Sequence, residues 1–551
     1  MRRFISTLFF VLSLAALALP AALAEGAVPL DEAHFPDETF RHIVADNFDA
    51  DGDGALSEGE IAQASEITIG DYQEVESLEG VKHLTSLTAL HCPGSGTITE
   101  IDVSGCAALQ TLECYSCRAL KRVNAAGCAA LETLDCAECE SLLKLTLTGC
   151  AALEHLNCMG CVLTSLNVSD CGALRTLNCG WCAIKSLDVS NCPQLNELSC
   201  FGSALTSLDL SACPALTKLN CAMSALTALD VSGCAALEEL TCNENALTSL
   251  DLRDCAALTE LNCYENRLTS VDLRGLTQLT HFDCSHNLLT ELDVEDCMAL
   301  IECNCAGNAL TALDVSDHTR LSYLSCGDNA LATLDADGCT GLQLFYCDRN
   351  DLTELDLRDC AALTEVSCSS NGLSRLLLGQ CPKLASLSSY KNALTGLDIR
   401  GCATLVKGVL NGGYVHDKPR SGQPDVLTDE YTCSTPSAYV RITIDAATTL
   451  QVLDLPEVDF DMPGDLVSIE EGAFRAADMT CAVCPEGLAE IGPMAFADCV
   501  RLRVIYMPTS VTSIAGDAFS GCGDVAIYAP AGSAAQAFAL ENGMKYVPHM
   551  M

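Results

Sequence analysis

Residues 49–60 carry carboxylates at a spacing that suits a hard cation. Asp49, Asp51 and Asp53 stand at positions 1, 3 and 5 of a twelve-residue loop, Gly54 at 6, Ala55 at 7, Ser57 at 9 and Glu60 at 12. Calcium takes about six to eight oxygen ligands, and this spacing wraps oxygens round one point. Three carboxylates, the Ala55 carbonyl, Ser57 through a water and both oxygens of Glu60 would supply them. Gly54 permits the sharp turn, and Leu56 at position 8 is an apolar anchor. Calcium is therefore the expected cofactor. The loop needs an element to hold it, and Phe40, Ile43, Val44 and Phe48 just upstream have the apolar spacing of a helix.

The second chemistry-bearing set is sulfur. Among the 37 cysteines, Cys114 and Cys117, Cys136 and Cys139, Cys158 and Cys161, and Cys179 and Cys182 form Cys-x-x-Cys pairs, the spacing of zinc ligands or a redox dithiol. Their place in a repeat argues against both. One cysteine row runs Cys92, Cys114, Cys136, Cys158, Cys179, Cys200 and onward to Cys368, at steps of 22 and then 21 residues. Another runs from Cys106 to Cys402, with Leu276 and His318 standing in for cysteine. A third begins Cys117, Cys139, Cys161 and Cys182, passes Ser203 and Ser224, and continues as Asn245, Asn266, Asn287, Asn308, Asn329, Asn350, Asn371 and Asn392. A metal or redox pair would not decay in register into Cys-x-x-Asn. A reduced cysteine behaves as a small hydrophobe, so the rows are expected to be core. Disulfides between like positions of stacked turns are awkward: parallel side chains about 4.8 Å apart keep Cβ atoms beyond the preferred 3.5–4.5 Å or so. Cys433 alone stands outside any register.

The repeat also carries an aspartate ladder that includes Asp102, Asp188, Asp209, Asp230, Asp251, Asp272, Asp293, Asp314, Asp335, Asp356 and Asp398. Each is expected to accept backbone N–H bonds at its own turn; the functional alternative is a stripe for cations or a basic partner. The sequence holds no His-Glu-x-x-His, no Gly-x-Ser-x-Gly and no phosphate-cradling glycine loop with lysine, so no catalytic set is nominated.

The pattern Leu-x-x-Leu-x-Cys-x-x-Asn-x-Leu, held over about fifteen turns, resembles the leucine-rich repeat family with cysteine in one leucine slot. The resemblance implies a parallel-stranded solenoid whose asparagine ladder ties backbone groups inside each turn. Residues 49–60 closely resemble the EF-hand loop, although no second hand follows. Ile469–Phe474, Ile491–Phe496 and Ile514–Phe519 open a different repeat that resembles the BspA-like class. The expected fold is a leucine-rich repeat solenoid with parallel strands in each turn, a small helical EF-hand cap and a short second array. Its domains are a signal peptide at 1–24, the cap at 25–74, the solenoid at 75–410, an end cap or linker with a strand at 411–465, and the BspA-like repeats with a terminal cap at 466–551.

In the family, ligands meet residues that alternate with the inward leucines and cysteines. Here that implies a ligand face including Tyr115, Met159, Phe201, Tyr264 and Tyr390, with Trp181 beside it. Glu113, Asp135, Asn157 and Asn178 run alongside. Small residues with scattered aromatics suit protein or glycan contact. Arg2 and Arg3 before the apolar run 4–19, and the small-x-small pattern at Ala22–Ala24, read as a secretory signal, and no later run is long enough to enter a bilayer. The formal net charge of −45 repels phosphate backbones and anionic lipid, which argues against nucleic acid and membrane partners. The sequence therefore predicts an extracellular, calcium-binding, non-catalytic module that binds a protein or glycan. The alternatives are a thiol or metal protein using the Cys-x-x-Cys turns and a passive cell-surface spacer.

Overall fold

The computed structural model describes residues 26–70, 74–410, 415–416, 431–432, 441–443, 449–451 and 460–549. The signal segment 1–24, Cys433 and much of 411–465 lie outside the described residues. The chain divides into two units, Met1–Ala204 and Leu205–Met551.

In the first unit, helix Glu38–Phe48 starts at Asp37, whose carboxylate accepts from the N–H of Phe40 at 2.8 Å, and buries Phe40, Ile43 and Val44. Strand Val28–Pro29 pairs antiparallel with Ala55–Leu56. A parallel ladder follows: Glu66–Thr68, Ala89–His91, Thr111–Glu113, Thr133–Asp135, His155–Asn157, Thr176–Asn178 and Glu197–Ser199. Each strand is three residues long with its middle residue inward, so Leu90, Leu112, Leu134, Leu156, Leu177 and Leu198 stack in one buried row. Burying one such side chain is worth about 1.5–3 kcal/mol, which is what makes so short a strand hold. On the far side of the turns Glu100–Asp102, Arg122–Asn124 and Lys144–Thr146 form a second parallel sheet. The ladder begins at Glu66–Thr68, before the cysteine register does: Ile67 is buried in the leucine slot, but its turn offers no cysteine to mark the period.

In the second unit the ladder comprises Lys218–Asn220, Glu239–Thr241, Glu260–Asn262, His281–Asp283, Glu302–Asn304, Tyr323–Ser325, Leu344–Tyr346, Glu365–Ser367, Ser386–Ser388 and Arg441–Thr443. The pairings run between successive members from Lys218–Asn220 onward. Helix Ala403–Leu410 interrupts the repeat, yet Arg441–Thr443 and Thr449–Gln451 rejoin it against Ser386–Ser388 and Gly396–Asp398. The last array has its own parallel sheet: Phe460–Asp461, Cys481–Val483, Val504–Tyr506, Ala526–Ala529 and Lys545–Pro548. Phe474, Phe496 and Phe519 stack through its core at centroid spacings of 5.4 and 5.1 Å.

The cysteine rows are core. Every described cysteine is buried except Cys522, which is half-buried. The third row does defined work. Asn266 donates to the carbonyls of Cys242, Cys263 and Tyr264 at 3.0, 3.1 and 3.3 Å, while its Oδ1 accepts from the N–H of Leu247 at 3.0 Å. Asn245, Asn287, Asn329 and Asn350 repeat this pattern. In the first unit the cysteines of this row replace part of it: the Cys117 thiol donates to the Cys92 carbonyl at 3.1 Å, the bond that Asn266 makes to Cys242. His318, 2% exposed, likewise stands where its row has cysteine: Nε2 lies 3.2 Å from the Val294 carbonyl, and Cys339 one turn on donates to the Val315 carbonyl.

Candidate functional site

The acidic loop is built by short-range bonds. Asp49 caps the C-terminus of helix Glu38–Phe48, and its Oδ1 accepts from the N–H groups of Gly52 and Asp53 at 2.8 and 3.2 Å. Its Oδ2 accepts from Gly54 at 3.0 Å. Asp51 accepts from Asp53 at 3.1 Å, and Asp53 from Ala55 at 2.9 Å. Gly54 sits at φ +83°, a left-handed bend that a side chain would strain. The result gathers one carboxylate oxygen each from Asp49, Asp51 and Asp53 within 4.8 Å of one another. Those hard, anionic donors, with Asp49 half-buried and the other two exposed, fit a divalent cation.

Glu60 does not join that trio. It spans the loop instead, accepting from the N–H of Ala50 at 2.8 Å with one oxygen and from the N–H and hydroxyl of Ser57, both at 2.8 Å, with the other. Ser57 in turn caps the short helix Glu58–Ile61 in a reciprocal capping box. The Ser57 N–H foremost, then the Ser57 hydroxyl and the Ala50 N–H, hold the Glu60 carboxyl below its ordinary range. Ala55 lies in the strand that pairs with Val28–Pro29.

The solvent side of the ladder is set by alternation. In the second unit each ladder strand from Lys218–Asn220 to Ser386–Ser388 buries its middle residue, leaves the third half-buried and the first exposed or half-buried. In the second unit the first positions read Glu239, Glu260, His281, Glu302 and Tyr323, and the third positions Thr241, Asn262, Asp283 and Asn304. Glu260, Asn262, His281, Asp283, Glu302 and Tyr323 line a shallow cleft of about 420 Å³ there. Tyr323 and Tyr346 meet at 5.8 Å between ring centroids. The first-position row is part of the surface that sequence reasoning passed over; its signal was the residue just before the inward leucine in each turn.

The aromatic row lies two residues beyond the third position and is only partly open. Tyr115 is 42% exposed and Trp181 53%, whereas Met159, Phe201, Tyr264 and Tyr390 are half-buried and their row-mates Ala137, Ala222, Asn243 and Ser285 are buried. Trp181 and Phe201 are brought together, edge to face at 5.7 Å. Glycines make their room: a Cβ on Gly180 would come 2.5 Å from Phe201 Cδ1, and one on Gly202 2.6 Å from the Trp181 ring. In the second unit the Tyr264 hydroxyl donates to Glu244 at 2.8 Å, and Lys391 Nζ sits 5.0 Å over the Tyr390 ring.

The aspartate ladder behaves as turn structure. Asp209, Asp230, Asp314 and Asp335 accept from the N–H two residues on at 2.9, 3.0, 2.9 and 3.0 Å. Arg274 grips Asp272 from the same turn and pushes its carboxyl down to about 2. A larger cleft, about 640 Å³, lies along this side and is lined by Glu291, Asp314, Asp335, Asp337 and Asp356. Repulsion from Asp335 above all raises the Asp337 carboxyl.

Residues 454–531 match the family described as BspA type Leucine rich repeat region (6 copies). The functional domain of InlJ from Listeria monocytogenes, described as including a cysteine ladder, is 27% identical and superposes with a TM-score of 0.50 over 88% of this chain and 82% of that one. The fold is that of the leucine-rich repeat proteins. YopM from Yersinia enterocolitica WA-314 is 20% identical, with a TM-score of 0.49 over 87% of this chain and 94% of that one. An internalin (inlF) from Listeria monocytogenes str. 4b F2365 is 17% identical, with a TM-score of 0.44 over 66% and 98%. No curated protein matches the sequence. Among the described residues, no helix is long and apolar enough to cross a membrane.

Proposed function

We propose that this chain is an exported, calcium-binding leucine-rich repeat module that acts by binding a protein or glycan at a cell surface, without catalysis. The observation that carries the reading is the solvent side of the second unit's ladder. There Glu260, His281, Glu302 and Tyr323 stand in successive turns beside Asn262, Asp283 and Asn304, around one open cleft. Polar side chains fixed on a rigid parallel ladder and flanked by tyrosine suit recognition. The buried sulfur weighs against the thiol or metal alternative, since Cys114, Cys117, Cys136 and Cys139 are at 0% exposure. Calcium would be held by Asp49, Asp51 and Asp53, with Glu60 and the Ala55 carbonyl beside them. Bound there, the ion would neutralise the clustered carboxylates and fasten the end of helix Glu38–Phe48 to strand Ala55–Leu56.

The test is a titration of the mature protein against arrayed glycans and isolated extracellular proteins, alongside Glu260→Lys/Glu302→Lys and the control Asp335→Asn. The reading expects a saturable partner whose affinity falls at least about tenfold in the double variant, about 1.4 kcal/mol, and is unchanged in the control. Absence of any saturable partner would favour the passive spacer. Equal loss in the control would move the site to the aspartate side.

A further inference from the structure

The cleft on the second unit's ladder is built by three successive pairings. Glu260 stands beside His281, His281 beside Glu302 and Glu302 beside Tyr323, while Asn262, Asp283 and Asn304 share the third positions. Parallel strands lie about 4.8 Å apart, so the His281 strand falls between those of the two glutamates. Hydrogen bonds fix what the walls offer. The Thr280 hydroxyl donates to the Thr259 carbonyl at 2.9 Å, so its oxygen accepts from His281 Nδ1, also at 2.9 Å. Nε2 of the neutral ring is then an acceptor. Asp283 accepts from the N–H and hydroxyl of Ser285 at 2.9 and 2.6 Å and from Asn304 Nδ2 at 3.0 Å. Glu260 and Glu302 are exposed, and among the described residues their carboxylates have no hydrogen-bond or ion-pair partner. No described lysine or arginine lines the cleft. Elsewhere the chain neutralises its own carboxylates. Glu239, one strand earlier in the same row, pairs with Lys218 at 2.6 Å, and Arg274 and Arg400 hold Asp272 and Asp398 from the same turn.

We propose that the cleft formed by Glu260, His281, Asp283, Glu302 and Tyr323 receives an arginine side chain from a basic segment of a partner protein. The walls offer acceptors and uncompensated negative charge, so the occupant must bring donors and positive charge. A guanidinium has five N–H donors, no acceptor and a planar face. It donates to the two glutamates, whose long side chains reach over the single strand between them, and lies against the half-buried Tyr323 ring. A neutral glycan would cover both carboxylates without supplying a counter-charge. The formal net charge of −45 draws a basic segment towards the chain. The inference rests on the binding reading above and narrows it from a protein or glycan to a basic protein.

The test is fluorescence anisotropy of a short labelled peptide of alternating glycine and arginine, titrated with the full chain at about 0.15 M salt, where attraction between exposed charges is screened beyond about 8 Å. A citrulline version keeps the shape of the side chain and removes its charge. The expected result is saturable binding of the arginine peptide alone. It should weaken at least about tenfold in Glu260→Gln/Glu302→Gln and less than about twofold in the charge-matched control Asp314→Asn/Asp335→Asn. Tyr323→Leu, which leaves the charge unchanged, should weaken it about two- to fivefold. Equal loss in the control, equal binding of the citrulline peptide, or no saturable binding of the arginine peptide would each overturn the proposal. A glycan whose binding is lost in the glutamate variant and is not displaced by the arginine peptide would overturn it too, while leaving the binding reading standing.

Discussion

Asn266 serves four backbone groups from one buried position: three carbonyls accept from its amide nitrogen, and Leu247 donates to its oxygen. Asn266→Ala should therefore lower unfolding stability by about 2–4 kcal/mol, read from urea denaturation, because it orphans several buried polar groups. Asn266→Cys should cost less, since Cys117 shows that a thiol can hold the bond across the turn. The equivalence of cysteine and asparagine was legible in the sequence because they share a register. The partners were not, because they are backbone carbonyls one turn away and carry no residue signal. Glu60 gives a pH prediction. Its carboxyl is held below its ordinary value of 4.5, so its contribution is present above that value and is lost as pH falls through the folded value. Cleavage of the cap in limited proteolysis should accelerate as the pH falls below that ordinary value, and Glu60→Gln should flatten the dependence.

At the scale of the element, the turn after each strand is the costly part. Ser116, Glu138, Trp181, Met223, Glu244 and Glu265 all adopt left-handed φ between 50 and 57° without being glycine. Each such residue carries a strain of roughly 1–2 kcal/mol. The bend turns an N–H along the stack: Trp181 donates to the Phe201 carbonyl at 2.7 Å, and Glu265 to that of Ser285 at 3.0 Å. Sequence offered no warning, because the row mixes serine, glutamate and tryptophan. Gly202 supplies a direct probe, as the chain has 1 tryptophan. A Cβ there would meet the Trp181 ring at 2.6 Å, and the backbone stands at φ +64°. Gly202→Ala should displace the indole, shift its fluorescence emission and cost about 1–2 kcal/mol in urea unfolding. An unchanged emission spectrum would show that the ring does not pack there.

For the whole molecule, periodicity decided what could be read in advance. The solenoid, its two strand sets and the second array were legible from fixed steps of leucine, cysteine and phenylalanine. Strands Glu66–Thr68, Arg441–Thr443 and Thr449–Gln451 were not placed on the ladder, because their turns lack the cysteine and asparagine marks although the chain still pairs in register. The acidic loop was legible as a motif, and the gathering of Asp49, Asp51 and Asp53 supports it; the bridging role of Glu60 through Ala50 and Ser57 needed the fold. Burial raises the thiols of Cys221 and Cys242 well above their ordinary range, so such core cysteines should resist a thiol reagent until the chain unfolds.

Sulfur builds the core, and the binding roles proposed for the acidic loop and the ladder's solvent side follow from that. Metal analysis of the folded, reduced protein after dialysis against calcium and zinc together tests it most directly. The account predicts about one calcium per chain, lost in Asp49→Asn/Asp51→Asn, and no stoichiometric zinc. Several equivalents of zinc that persist in that variant would contradict it and return the Cys-x-x-Cys turns to the centre of function.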